Sequence, residues 1–398
     1  MTTWHLARGF RFAGIHGGIR SDPGRRDLAL AVSDVPAAAA GVFTQNRVRA
    51  APVRVCQERL PAAAARGVVV CSGNANACTG PRGLDDARRM TVVAAEAVGC
   101  RPEQVLVCST GVIGQHLPMP AVEAGIRKAA AELADTPAAL DALAHAILTT
   151  DTRIKVVTRE VDVEGAPVRL TGVAKGAAMI GPNLATMLAF VFSDAAVAAA
   201  DLHALAGRAA EGTFNCVSVE GHTSTNDTLL LLANGRAGGR PLRGEGLTRF
   251  GAAVTGVCAE LARSIAADAE GATHLVTIEV EGLRDDAEAK RVARAVADSA
   301  LVKTAVFGAD PNWGRIVSAA GYAGVDFDET DLSLWLGDLL LYHAGTPQPF
   351  DAATASAYLK RERNVHLRLR FTLGAGRCTF WTCDLGYDYV RLNAEYTT

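Results

Sequence analysis

Arg66-Gly-Val-Val-Val-Cys-Ser72 runs into Gly73-Asn-Ala-Asn-Ala-Cys-Thr-Gly80, and a helical pattern follows over residues 84–98. A short apolar run rich in β-branched residues reads as a strand buried on both faces. The Gly- and Asn-rich octapeptide reads as a loop. Asp85 and Asp86 then fall in the first turn of the expected helix, where the positive end of the helix dipole favours them. Strand, loop and helix in this order are the building unit of a layered α/β or α+β fold.

The same alternation continues outward. A strand is expected at 105–109, ending at Thr110-Gly111, with helices starting near Pro120 and Pro137. Thr136 caps the second of these, and Pro137 takes its first helical position. Strands at 154–163 and 168–173 flank the turn Glu164-Gly165. A strand at 187–192 and a helix at 195–209 follow, then strand 228–232, helix 247–267, strand 274–280 and helix 286–300. Residues 332–336, 366–371 and 378–383 alternate like half-exposed antiparallel strands. With no repeat, low-complexity tract or Pro/Gly-rich linker, the chain reads as one compact body.

Composition limits the function classes. The 398 residues carry a formal charge of −2 and are 49% hydrophobic, enough for a large core. A near-neutral chain lacks the excess of Lys and Arg that nucleic acid or an anionic membrane would call for. The start of the chain has no apolar segment behind a basic one, so a secretion signal is not expected. No stretch of about 18 apolar residues suggests a membrane span. The nine cysteines contain no Cys-x-x-Cys pair and read as buried reduced thiols of a cytoplasmic protein. No metal site is expected; Cys378 and Cys383 lie in a strand-like run. The loop 73–80 lacks the Gly-Lys-Ser/Thr ending of a phosphate loop, so nucleotide binding is not expected.

The chemistry concentrates in Lys175-Gly-Ala-Ala-Met-Ile-Gly-Pro-Asn-Leu-Ala-Thr-Met-Leu188. A Thr hydroxyl needs a base before it acts as a nucleophile. No histidine lies near Thr186 in sequence. Cleavage of the Ala185–Thr186 peptide would place a new α-amine beside the Thr186 hydroxyl, and an α-amine titrates near pH 8, close enough to neutrality to serve as the base. On local sequence alone, a Thr opening a strand after a Gly-Pro-Asn turn reads first as an ordinary structural feature.

Read with its neighbours, this segment is one of several blocks that closely resemble the ornithine acetyltransferase (glutamate N-acetyltransferase) family. The others are Ala40-Gly-Val-Phe-Thr-Gln-Asn-Arg-Val-Arg-Ala-Ala-Pro-Val53, Ser72-Gly-Asn-Ala-Asn-Ala-Cys-Thr-Gly80, Ser109-Thr-Gly-Val-Ile-Gly114 and Thr149-Thr-Asp-Thr152. Thr223-Ser-Thr-Asn-Asp-Thr228, Phe307-Gly-Ala-Asp-Pro-Asn-Trp-Gly-Arg315 and the last residues, 387–398, complete the set in family order.

The resemblance implies an αββα-type layered sandwich of the ornithine acetyltransferase and DmpA-like fold, self-cleaved into an α chain of residues 1–185 and a β chain of residues 186–398. It implies acetyl transfer from N2-acetyl-L-ornithine to L-glutamate through acetyl-Thr186, with Thr110 and Gly111 as the oxyanion residues. Thr149, Lys175, Thr186, Glu270, Asn393 and Thr398 would bind the amino-acid substrate. On charge, Glu270 suits the ornithine ammonium, and Lys175, Asn393 and Thr398 the carboxylate. No cofactor is implied, and acetyl-CoA is a co-substrate in part of the family only. The implied assembly is two α and two β chains in the cytoplasm. An aminopeptidase or amidohydrolase of the same superfamily, passing the acyl group to water, is the alternative, and a non-catalytic amino-acid-binding descendant a more distant one.

The chain departs from the family pattern at Ala177, Ala178, Gly181, Leu184 and His222, where the family commonly has Ser, Gly, His, Met and Asp. Ala178 is expected to matter most, because a glycine there would supply a left-handed backbone near the scissile bond. The 310–315 block is expected to brace the Thr186 loop.

Overall fold

The structure, a computed structural model, describes residues 4–181 and 187–395. Ala185, Thr186 and Thr398 therefore lie outside the described residues. Two sheets follow one another along the chain. The first contains β1 (Phe10–Ile15), β2 (Leu28–Phe43), β3 (Ala62–Asn74), β4 (Val105–Val112), β5 (Lys155–Val163), β6 (Ala166–Lys175), β7 (Leu188–Ser193) and β8 (Thr228–Ala233). Its order is β4-β3-β2-β8-β7-β6-β5, with β1 also paired to β2. The second contains β9 (Leu275–Leu283), β10 (Ser333–Leu336), β11 (Leu339–His343), β12 (Thr346–Pro347), β13 (Asn364–Arg370) and β14 (Gly376–Cys383).

The first sheet is apolar on both faces, and period-two alternation shows how. Leu229 and Leu231 of β8 point into one core, and Leu230 and Leu232 into the other. In β7, Ala189 and Val191 join the first core, and Leu188, Phe190 and Phe192 the second. Helices Gly80–Val98, Met119–Ala131 and Pro137–Ala146 supply the second core. Helices Ala199–Gly212 and Gly244–Ala266 cover the opposite face, lying on β2 and on β5 and β6. The fold is mixed α/β with two sheets.

The second sheet buries Val276, Ile278 and Val280 of β9 and turns Glu279 and Glu281 outward. As expected, β14 runs antiparallel to β9, and β13 antiparallel to β10; β13, however, pairs with β9 in parallel. Helix Asp286–Asp298 packs on β9 and β14.

Several boundaries differ from the sequence reading for physical reasons. The helix expected at 84–98 starts at Gly80 with Pro81 in its first turn, so Asp85 and Asp86 sit beyond the reach of its N-terminal dipole. The helix expected at 286–300 stops at Asp298, and Ser299 caps a new one, Ala300–Phe307, through Val302 N. Thr136 does cap Pro137–Ala146, accepting from Ala139 N. Residues 10–59, to which the sequence reading assigned no elements, hold β1, β2 and helix Ala51–Arg59. The alanine-rich half of β2 has weak strand propensity and becomes a strand by pairing with β8. Among the described residues no helix is long and apolar enough to cross a membrane.

Candidate active site

The site forms where the end of β6 meets the ends of β3 and β4, strands that lie across the first sheet from it. Thr110 and Gly111 lie within β4, not in a loop after it, at a point where the β3–β4 register slips at Gly73 and Asn74. Gly111 has φ of +133°, and a Cβ there would stand 2.3 Å from the Gly73 carbonyl carbon. Only glycine fits so close an approach. Asn226 braces both strand ends, its Nδ2 donating to Ala75 O at 2.7 Å and Ser109 O at 2.8 Å.

Lys175 is the last residue of β6 and is 3% exposed, so it is a buried cation and not a loop charge in solvent. Its Nζ donates to Thr149 Oγ1 at 2.6 Å and to Thr110 Oγ1 at 3.2 Å. Both hydroxyls accept from the ammonium, which leaves their own protons free to be given to a ligand. Asp151 stands 3.9 Å from the same Nζ and also accepts from Lys155 Nζ at 2.7 Å and Gly176 N at 2.6 Å. Lys155 reaches Asp268 at 2.6 Å, closing a buried set of two cations and two carboxylates. Burial alone would raise the Asp151 carboxyl, but Lys175 and Lys155 overcome it and hold the group well below the usual carboxylate range. Burial pushes Lys175 the opposite way, below the ordinary lysine value, with Asp151 resisting.

Glu270 comes from the turn after helix Gly244–Ala266. Its N–H donates to Ala177 O at 2.9 Å, and its Oε2 accepts from Asn393 Nδ2 at 3.1 Å. Asn393 belongs to helix Tyr387–Glu395. Thr110, Gly111, Thr149, Lys175, Glu270 and Asn393 all line one cavity of about 120 Å³. A cation on one side and a carboxylate on the other suit a zwitterionic ligand. A larger cavity of about 590 Å³, lined by Cys216, Glu279, Lys290, Arg377 and Cys378, contains none of these residues.

Two carboxyl groups that sequence reasoning did not single out hold the residues on either side of 182–186. Ile180 N donates to Glu220 Oε1 at 2.5 Å, and Ile180 O accepts from Val219 N and Gly221 N. Met187 N donates to Asp227 Oδ1 at 3.3 Å. Burial raises Glu220 to about 7 and lifts Asp227 well above its ordinary value. Asp227 lies in the quoted block 223–228; Glu220 falls in no quoted block, and its sequence signal is absent.

The departures from the family pattern also acquire reasons. Met179 has φ of +56° and Gly176 φ of +154°, whereas Ala178 lies outside the left-handed region and carries no such demand. At Gly181 a Cβ would come within 2.4 Å of the Gly221 carbonyl carbon, so this chain excludes the family's His there. The 310–315 block caps helix Trp313–Gly321 through Asn312, and Trp313 stacks on Tyr342, both on the side of the second sheet. Its described contacts give the Thr186 segment no brace.

The family model for ArgJ matches residues 11–398. The chain belongs to the ArgJ family. The arginine biosynthesis bifunctional protein ArgJ 1 of Nostoc sp. is 46% identical over 98% of this chain and 97% of its own. The ArgJ of Geobacter sulfurreducens is 47% identical over 98% and 99% respectively. A crystal structure of ArgJ from Bacillus halodurans is 39% identical, with a TM-score of 0.51, and covers 52% of this chain and 98% of that one. As an ArgJ family member the chain is an acetyltransferase of arginine biosynthesis, a glutamate N-acetyltransferase. The six residues gathered at the cavity are among the eight expected from the resemblance to carry binding and oxyanion roles; Thr186 and Thr398 lie outside the described residues.

Proposed function

We propose that the chain cuts itself between Ala185 and Thr186 and then carries acetyl from N2-acetyl-L-ornithine to L-glutamate on the Thr186 hydroxyl. The observation that carries this is the meeting of Thr110, Thr149, Lys175, Glu270 and Asn393 in one cavity, between elements that hold Ile180 and Met187 on either side of the cut. The Bacillus halodurans chain adds support. Matched over 98% of its length, it spans 52% of this chain, and a cut before Thr186 leaves pieces just under and just over half.

In self-cleavage the Thr186 Oγ attacks the Ala185 carbonyl, the C–N bond breaks to give an ester, and water hydrolyses the ester. The freed α-amine then takes the Thr186 hydroxyl proton as Oγ attacks the acetyl carbonyl of acetylornithine. The Thr110 hydroxyl, with Lys175 already donating to its oxygen, and the Gly111 N–H receive the oxyanion. Collapse expels ornithine, which takes the proton from the α-ammonium. The glutamate amine attacks acetyl-Thr186 by the reverse path. Lys175, Thr149, Asn393 and Thr398 serve the amino-acid carboxylate, and Glu270 serves the ornithine ammonium. The two pieces assemble as two α and two β chains in the cytoplasm.

Denaturing electrophoresis should show two bands, and sequencing of the C-terminal piece should begin Thr-Met-Leu-Ala-Phe. Enzyme given acetylornithine and glutamate should form N-acetylglutamate. Release of acetate alone would replace this reading with an amidohydrolase. Acetyl-CoA in place of acetylornithine tests the second donor.

A further inference from the structure

The run 149–155 reaches both ends of the cavity. Toward the Lys175 end, Asp151 accepts from Thr149 N at 3.1 Å and from Gly176 N at 2.6 Å. One carboxylate thus fixes the backbone of Thr149 and of the residue after Lys175. Toward the Glu270 end, Asp268 accepts from Thr152 N at 3.2 Å and from the Thr152 hydroxyl, while Arg153 donates to Ala267 O at 2.7 Å. Lys155 Nζ joins the two halves, donating to Asp151 at 2.7 Å and to Asp268 at 2.6 Å. Asp268 stands two residues before Glu270, in a turn that is held on its other sides as well. Glu270 N donates to Ala177 O, and Gly271, with φ of +70°, lies so close to helix Tyr387–Glu395 that a Cβ would stand 2.4 Å from Tyr389 N. A turn gripped in this way has little freedom to move its carboxylate relative to Lys175.

We infer, on the roles proposed above for Lys175 and Glu270, that Asp268 is a positioning residue: it sets the span between that cation and that carboxylate, and so the length of basic amino acid the cavity accepts. A diamino acid must reach both groups at once. A fixed span therefore admits one chain length and penalises an added methylene. Glutamate has no side-chain ammonium and makes no use of the Glu270 end.

Asp268→Asn removes the charge and one acceptor, while Lys155 retains Asp151, so no buried charge is left alone. The test compares kcat/KM for N2-acetyl-L-ornithine, for N2-acetyl-L-lysine, which is one methylene longer, and for glutamate. Wild-type enzyme should prefer acetylornithine. In Asp268→Asn, kcat/KM for acetylornithine should fall about ten-fold and its preference over acetyllysine about five-fold, with glutamate changed by less than about two-fold. Thr152→Val, at an exposed residue, removes only the hydroxyl donor and should shift the preference in the same direction by less. It decides the matter if Asp268→Asn does not fold. An unchanged preference in the folded variants would overturn the inference. So would an equal loss for acetylornithine and glutamate, which would place the effect at the carboxylate end that both share. Wild-type enzyme that forms no N-acetylglutamate from acetylornithine would overturn the proposed function and this inference with it.

Discussion

Lys175 Nζ and Thr149 Oγ1 lie 2.6 Å apart, with the Lys175 ammonium buried at the end of β6 and the hydroxyl proton of Thr149 left to donate. Thr149→Val keeps the shape of the side chain and removes that proton and the acceptor. KM for acetylornithine should rise about ten-fold, the equivalent of roughly 1.4 kcal/mol, with a smaller change in kcat. Steady-state kinetics at fixed glutamate measures it; an unchanged KM would remove Thr149 from substrate binding.

Thr110 should act on the transition state and not on binding. Thr110→Val deletes the hydroxyl proposed to donate to the oxyanion and should lower kcat by about 10²–10³-fold at nearly constant KM. Thr110→Ser should recover most of the rate. Equal losses in both variants would indicate a packing role for the methyl group.

Glu220 makes stability depend on pH in a predictable sense. Burial raises its carboxyl to about 7 from an ordinary 4.5, so the folded state favours the protonated form. Its stabilising contribution is complete below about 4.5 and is lost as pH climbs through 7. Glu220→Gln retains an acceptor for Ile180 N without the charge. The variant should match wild type near pH 4.5 and exceed it at pH 8, by up to about 3 kcal/mol. Thermal melts at the two pH values test this; a constant difference would show that the carboxyl does not ionise there.

Lys155 lies 2% exposed between Asp151 and Asp268. Lys155→Met leaves two buried carboxylates short of a cation and should cost about 3–5 kcal/mol of stability, read from urea midpoints. Replacing Asp151 and Asp268 with Asn in the same chain should restore much of the loss, because no unpaired charge then remains.

Gly181→His restores the family's usual residue but sets a Cβ against the Gly221 carbonyl carbon at 2.4 Å. The segment leading to the cut must then shift, so the variant should accumulate uncut chain. A time course on denaturing gels follows it, and cleavage as fast as wild type would show that the Gly221 turn yields easily.

Much of this was legible beforehand. Period-two and period-3.6 patterns located most elements from residue 66 onward, because each must bury one stripe or face. The resemblance named Thr110, Gly111, Thr149, Lys175, Glu270 and Asn393, and the fold brings these six to one cavity. Other features had no local signal. Ala37 to Ala40 give β2 no propensity of their own; β8, far along the chain, makes them a strand. The burial of Lys175 had no local signal, because it is imposed by Thr110, Thr149 and Asp151 from other parts of the chain.

The sequence by itself determined the kind of chain this is: mixed α/β, of the ornithine acetyltransferase type, with candidate chemistry around Thr186 and a defined set of partners. Tertiary structure alone decided which of those partners meet, that Thr110 and Gly111 are a bulged strand end, and that Glu220 and Asp227 hold Ile180 and Met187, on either side of residues 182–186. The reason is that residue type and spacing carry propensity and local chemistry. Burial, orphaned carboxyl oxygens and the pairing of Asp227 with Met187, 40 residues apart, arise only when distant strands are laid side by side.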